Sequence, residues 1–95
     1  MVYMDLVIKH GTVATASGGA VLDVGVQDGR IVQLGGNMSA SQQIDAEGMF
    51  VLPGGVDPHV HLTPPRTGPG LDSWSDNFEI GTRAALAGGV TTVGN

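Results

Sequence analysis

The sequence predicts an α/β protein in two parts, a β-rich part over residues 1–52 and a βα part over residues 53–95. The first prediction rests on short β-branched runs that are separated by glycine-containing turns. The second rests on the order of an apolar run, a Pro- and Gly-rich loop, a helical segment and a further β-branched run. Strand, helix and strand in succession favour a βαβ unit, whose strands pair in parallel and need cover on both faces.

Turn signals define six strands in the first part. His10-Gly11 predicts a hairpin between the first two strands. Asp28-Gly29 predicts another hairpin, because this dipeptide supplies the positive φ angles of a tight turn. The polar segment 35–42 is predicted to be a loop. The predicted strands are residues 6–9, 12–15, 21–26, 31–34, 43–46 and 49–52.

The second part is predicted to start with a buried strand that contains Pro58, which has no amide hydrogen and must occupy a strand start or a bulge. Ser73 or Ser75 is expected to cap the helix, and Gly88 to follow its last turn. The predicted elements are a strand over residues 56–62, a loop over 63–72, a helix that ends at Ala87 and a strand over 90–93.

Composition excludes several classes of protein. Only four of the 95 residues are Lys or Arg, spread singly along a chain of net charge −5, so no nucleic-acid footprint is expected. No signal peptide is recognised and no apolar stretch approaches the ~18 residues of a membrane span, which predicts a soluble cytoplasmic protein without a membrane partner. Because the chain has no cysteine, any metal ion must bind histidine and carboxylate side chains.

His59 and His61 are the residues best suited to chemistry. Side chains alternate faces along a strand, so these imidazoles point the same way, and Asp57 shares their face by the same count. Two imidazoles on one face suit Zn²⁺ or a similar ion. The loop that follows puts them at the carboxyl end of a strand, where parallel α/β folds build active sites. A chance pair of histidines is the alternative that these residues alone leave open.

Four segments together resemble the amidohydrolase superfamily, in particular its cyclic amidohydrolase group of hydantoinases, dihydropyrimidinases, allantoinases and dihydroorotases. LPGGVDPHVHL over residues 52–62 resembles the first barrel strand of that group. DLVIKHGTV over 5–13 and VQDGRIVQLG over 26–35 resemble strands of its β-sandwich domain. GTRAALAGGVTT over 81–92 resembles its first barrel helix and second barrel strand. The resemblance covers nearly the whole chain in the family's order.

The resemblance implies that residues 53–95 begin a (β/α)8 TIM barrel and that residues 1–52 are part of a small β-sandwich domain. It implies a metal-dependent hydrolase that opens small cyclic amides such as hydantoins or dihydropyrimidines. His59 and His61 would bind one ion of a two-metal centre, with Zn²⁺ expected and other divalent ions possible in principle, and Asp57 would orient these ligands rather than bind metal.

The family's carboxylated lysine, two further histidines and metal-binding aspartate have no counterpart in this sequence. We therefore expect an amino-terminal fragment that is inactive by itself and holds none of the other catalytic residues; its substrate-binding residues are not identified. The intact protein is expected to be a homo-oligomer. The fragment is expected to self-associate, because the exposed face of the strand over 90–93 would need a partner.

Several alternatives remain at this point. Dihydroorotases usually carry an arginine two residues after the second histidine, where this chain has Thr63, although Arg66 is near. This difference favours hydantoinase or dihydropyrimidinase activity and leaves allantoinase open. A non-catalytic structural relative or a self-standing scaffold module is also considered. Trp74 and Phe78 are predicted to anchor the helix by packing, with a role in lining a substrate pocket as the alternative.

Overall fold

A computed structural model describes residues 2–64 and 74–95 of the chain. The chain divides into two compact units, Met1–Pro53 and Gly54–Asn95. No helix in the described part of the chain is long and apolar enough to cross a membrane. Arg66 and Ser73 lie outside the described residues, as does the predicted loop over 63–72 apart from Thr63 and Pro64.

The first unit is built from β-strands, in agreement with the predicted β-sandwich domain. One sheet has four strands in the order β5-β4-β1-β6, and the other has three in the order β3-β2-β7. The central strand β1 pairs antiparallel with β4 and parallel with β6, while β2 pairs antiparallel with β3 and parallel with β7. The strands are β1 (Val2–Lys9), β2 (Thr12–Thr15), β3 (Gly18–Val21), β4 (Val24–Gln27), β5 (Arg30–Leu34), β6 (Met38–Asp45) and β7 (Phe50–Val51).

The hairpin predicted at His10-Gly11 is wrong, because β1 and β2 belong to different sheets. His10 has a φ of 64° and turns the chain from the first sheet to the second. The side chain of Asp23 accepts a hydrogen bond from the His10 amide at 2.9 Å and holds this corner. The strand predicted over 21–26 is likewise broken at Leu22 and Asp23, where the chain returns to the first sheet.

The loop predicted over 35–42 is also wrong in part, because strand β6 already begins at Met38. The loop was predicted because the segment is rich in polar residues. They suit this strand because β6 lies at an edge of the four-stranded sheet, where most of its side chains are exposed. The hairpin at Asp28-Gly29 is confirmed: both residues have positive φ, 52° and 74°, and they join β4 to β5.

A small apolar cluster forms the centre of the first unit. Met4, Val7 and Met38 are buried against one another, with the half-buried Ala40 beside them. Gly25 on the neighbouring strand leaves the space that the two methionines fill, since a Cβ atom there would lie 2.6 Å from Met38 Sδ. This cluster ties β1, β4 and β6 together through apolar burial.

The second unit contains β8 (Gly55–Asp57), α1 (Phe78–Ala87) and β9 (Val90–Val93). β8 and β9 pair in parallel, as the order strand, helix, strand predicts. Asn77, rather than Ser73 or Ser75, caps α1, and its side chain accepts a hydrogen bond from the Ile80 amide at 2.8 Å. Gly88 ends the helix as predicted, and Gly89 follows with a φ of 85°.

The buried strand predicted over 56–62 is wrong in length and burial. Regular pairing ends at Asp57, and Val56 is 67% exposed. The regular strand ends early because a one-residue bulge follows at Pro58, where the Gly94 carbonyl accepts from the Val60 amide and not from that of residue 59. Val56 is exposed because, among the described residues, β8 lies in a sheet of only two strands.

Candidate metal site

His59 and His61 lie in an extended segment that continues from β8 beside the end of β9. The Gly94 amide donates to the Asp57 carbonyl at 2.8 Å, and the Gly94 carbonyl accepts from the Val60 amide at 2.9 Å. A regular parallel ladder would use the amide of residue 59 at this step, so the segment holds one extra residue, a bulge next to Pro58. As a result of the bulge, the His59 amide has no partner on β9.

Asp57 satisfies the amide that the bulge leaves unpaired. Its Oδ1 accepts a hydrogen bond from the His59 backbone N–H at 3.2 Å. Within the described residues, the Asp57 side chain thus bonds to the backbone of His59 and not to an imidazole ring. The carboxylate therefore helps to fix the backbone conformation at His59.

Alternating burial persists through the segment even though the regular strand has ended. Val60 is half-buried and Leu62 is buried, whereas His59 and His61 are exposed. Leu62 lies against α1, where a Cβ atom on Gly81 would collide with its side chain. Packing of the apolar side chains on one face thus directs both imidazoles to the other.

The two imidazoles lie close together. Their ring centres are 5.0 Å apart and the ring planes meet at 70°. Two imidazoles bound to one zinc ion can have ring centres up to roughly 6 Å apart, since each Zn–N bond is about 2.0–2.1 Å long. The separation of the ring centres therefore lies within the range for two imidazoles on one ion. Within residues 2–64 and 74–95, no group of three or more His, Cys, Asp or Glu side chains could hold a metal ion.

Three residues beside the pair were not predicted as part of the metal site, although a role in lining a substrate pocket was the alternative considered for Trp74. Asn95 Oδ1 accepts a hydrogen bond from the Leu62 amide at 2.8 Å and extends the contact between the two strand ends. Thr63 is hydrogen-bonded to the backbone of Trp74, whose indole lies on the ring of His61. A signal for Asn95 existed, because polar residues that follow neighbouring parallel strands meet at one edge of the sheet.

The first unit has a separate polar group at its corner. His10 Nδ1 lies 3.1 Å from Asp45 Oδ1, and the Glu47 amide donates to the same oxygen at 3.0 Å. Both hydrogen bonds lower the pKa of Asp45, and the one with His10 has the larger effect. A cleft of about 380 Å³ lies beside His10 and is lined also by Thr12, Val21, Glu47 and Gly48.

An apolar groove of about 250 Å³ lies elsewhere in the first unit. Val13, Val24, Ile31 and Val51 are among its lining residues. Neither this groove nor the His10 cleft contains a residue of the predicted metal site.

Proteins similar to this chain include D-hydantoinase from Rhizobium radiobacter, which is 43% identical over 91 residues, 95% of this chain and 19% of that protein. Allantoinase from Enterococcus faecalis is 47% identical over 88 residues, 93% of this chain and 19% of that protein. A solved structure of a D-hydantoinase matches with a TM-score of 0.82 at 43% identity, covering 95% of this chain and 19% of that one. No protein-family model matches the chain. The chain thus spans 19% of the length of these relatives.

Proposed function

We propose that this chain, a member of the hydantoinase and allantoinase group of cyclic amidohydrolases, supplies part of the metal site of an enzyme that hydrolyses a small cyclic amide. The observation that carries the proposal is the pair His59 and His61, held side by side in a chain 43% identical to a D-hydantoinase. Because the chain spans 19% of that relative, the hydrolytic activity is proposed for the whole protein of which such a chain is part.

The fold proposal follows from the second unit. β8, α1 and β9 would be the first strand, helix and second strand of a (β/α)8 barrel, and the first unit would be part of a β-sandwich domain. Parallel pairing of β8 with β9 supports this assignment. The histidines follow the carboxyl end of β8, which is the end of a barrel strand where active sites are built.

His59 and His61 would hold the metal ion, and zinc is the expected ion because imidazole nitrogens are among its usual ligands. When bound, such an ion lowers the pKa of water and polarises a substrate carbonyl. The chain's own part is to bind and orient: Leu62 anchors the segment under α1, and Asp57 holds the backbone at His59. A working site needs further ligands, because two imidazoles fill half of a tetrahedral shell.

A chimeric enzyme tests this proposal. The chain would replace its matching 91-residue segment in the Rhizobium radiobacter D-hydantoinase, and hydantoin ring opening would be measured together with bound zinc. We expect activity in the chimera and a loss of at least about 100-fold in His59→Ala and His61→Ala, since even the outer partners of a metal ligand contribute 10–100-fold.

His10→Ala is the matched control, because it removes the remaining one of the three histidines and should leave bound zinc and activity unchanged. A folded chimera in which His59→Ala keeps its zinc and its activity would refute the proposed role of the pair. A folded chimera that binds zinc through the pair but opens no cyclic substrate would favour a non-catalytic relative.

Allantoin is a second candidate substrate, because the allantoinase relative is 47% identical to this chain. A comparison of hydantoin, dihydrouracil and allantoin in the same assay would separate these possibilities. We do not propose dihydroorotate. Thr63 stands where a dihydroorotase would carry an arginine for the substrate carboxylate, and its hydroxyl is already hydrogen-bonded to Trp74.

We also propose that the protein is cytoplasmic and that it self-associates. Exposed apolar side chains support self-association: Phe78, Ile80 and Leu86 of α1 are 38%, 57% and 62% exposed. Sedimentation over a range of concentrations tests this, and a monodisperse monomer at the highest concentration would contradict it.

A further inference from the structure

We propose that Trp74 is a positioning residue for His61, holding its imidazole in the orientation in which it binds metal beside His59. The indole and imidazole ring centres lie 4.4 Å apart, and the two planes are tilted by 33°. The inference rests on the proposed function, in which His61 is a metal ligand. It differs from the packing role at the helix that the sequence suggests, because the ring contact observed for Trp74 is with a candidate ligand.

The backbone of Trp74 is fixed by the residue two places after His61. The Trp74 amide donates to Thr63 Oγ1 at 2.6 Å, and Thr63 Oγ1 donates in return to the Trp74 carbonyl at 2.9 Å. The Thr63 amide donates to the Asp76 carbonyl at 2.9 Å, and Thr63 bridges Asn77 in parallel. One short strand position thus connects the histidine segment to the start of α1 and places the indole on His61.

This arrangement matters because His61 is exposed. An exposed side chain loses rotamer freedom when it binds a ligand, and a partner that restricts it beforehand reduces that loss. The indole offers such a restriction through its large flat face, and offset ring pairs are favoured beyond the area that they bury. The indole is itself 43% exposed, so its burial explains its position only in part.

Zinc affinity is the first measurement, made on the 95-residue chain by competition with a chromophoric chelator. Trp74→Ala should weaken zinc binding by roughly 2- to 10-fold, the equilibrium equivalent of one aromatic pair. Trp74→Phe keeps a ring and should recover most of the affinity. Thr63→Val keeps the shape of the side chain but removes the hydroxyl, and should weaken binding, whereas Thr63→Ser should not.

A second readout requires no metal. In the metal-free chain, the ring current of the indole should shift the His61 imidazole protons upfield in nuclear magnetic resonance spectra. Trp74→Ala should abolish this shift, and Thr63→Val should reduce it. Because Trp74 is the only tryptophan, its fluorescence should also change on zinc addition to the wild-type chain and not to His61→Ala.

The outcomes separate the two proposals. Equal zinc affinity in the wild-type chain, His59→Ala and His61→Ala would refute the metal role of the pair and the inference with it. Zinc binding that depends on both histidines but is equal in the wild-type chain, Trp74→Ala and Thr63→Val would overturn the positioning role alone. Should Trp74→Ala fail to fold by circular dichroism, the comparison of Thr63→Val with Thr63→Ser decides between a positioning role and simple packing.

Discussion

Gly94→Ala should destabilise the second unit, because Gly94 lies against the backbone at the bulge beside the histidines. A Cβ atom on Gly94 would lie 2.7 Å from the Pro58 carbonyl oxygen and 3.2 Å from Pro58 Cα. These are backbone atoms that cannot move aside by a change of rotamer. Gly94 also joins the two chain segments by hydrogen bonds to Asp57 and Val60, so it cannot retreat without lengthening them.

The expected cost is about 1–3 kcal/mol in the free energy of unfolding, the usual effect of forcing an extra methyl group into a filled space. Loss of a glycine also stiffens the unfolded chain, which stabilises by about 0.4–1 kcal/mol at a position that tolerates alanine. Gly88→Ala shares this second effect without the first, because its Cβ would meet the Ala85 carbonyl oxygen at 3.6 Å, an ordinary contact. The difference between the two variants therefore isolates the contact with Pro58.

Urea unfolding followed by Trp74 fluorescence provides the measurement, since the only tryptophan lies in the second unit. With an m value of about 1 kcal/mol/M for so small a unit, the midpoint for Gly94→Ala should lie about 1 M or more below that of Gly88→Ala. Zinc affinity should fall in parallel, because the strained segment carries both histidines. Equal midpoints in the two variants would refute the view that the close approach at Pro58 holds this segment in place.

Three further outcomes are expected. Asn77→Ala should lower the free energy of unfolding of the second unit by about 0.5–2 kcal/mol in urea titrations, while Asn77→Asp, which keeps the capping oxygen, should not. Gly29→Ala should cost the first unit about 1–2 kcal/mol by circular dichroism, because its φ of 74° strains any side chain although the surrounding space is open; a neutral effect would contradict this. The stability that Asp45 contributes should be full above its usual pKa of 3.8 and be lost as pH falls through its lowered folded pKa, and acid titration of Asp45→Asn should lack this component.

Local patterns predicted the elements that depend on neighbouring residues. The Asp28-Gly29 hairpin, the end of α1 at Gly88 and the parallel pairing of β8 with β9 all follow from turn chemistry or element order. The errors share a different cause. His10-Gly11 has the composition of a hairpin turn, yet it connects two sheets, because the partners of β1 lie far along the chain in β4 and β6. Pairing between distant strands leaves no local signal.

The histidine pair was found from its spacing, but its surroundings were not. Alternation predicted that His59 and His61 share a face, and they do, with the half-buried Val60 and the buried Leu62 on the other. The same counting extended the regular strand through Pro58, where the structure instead has a bulge whose free amide is taken up by Asp57. A one-residue bulge alters strand register without changing the composition of the segment.

The sequence by itself determined the two-part organisation, the resemblance to cyclic amidohydrolases and the identity of the two candidate ligands, because motif spacing and turn residues are local properties. Only the tertiary structure revealed what surrounds those ligands: the close approach of Gly94 to Pro58, the contact of Leu62 with α1 and the indole of Trp74 on His61. These contacts join residues 13 to 36 positions apart, and their existence depends on how the chain folds back, which side-chain periodicity does not encode.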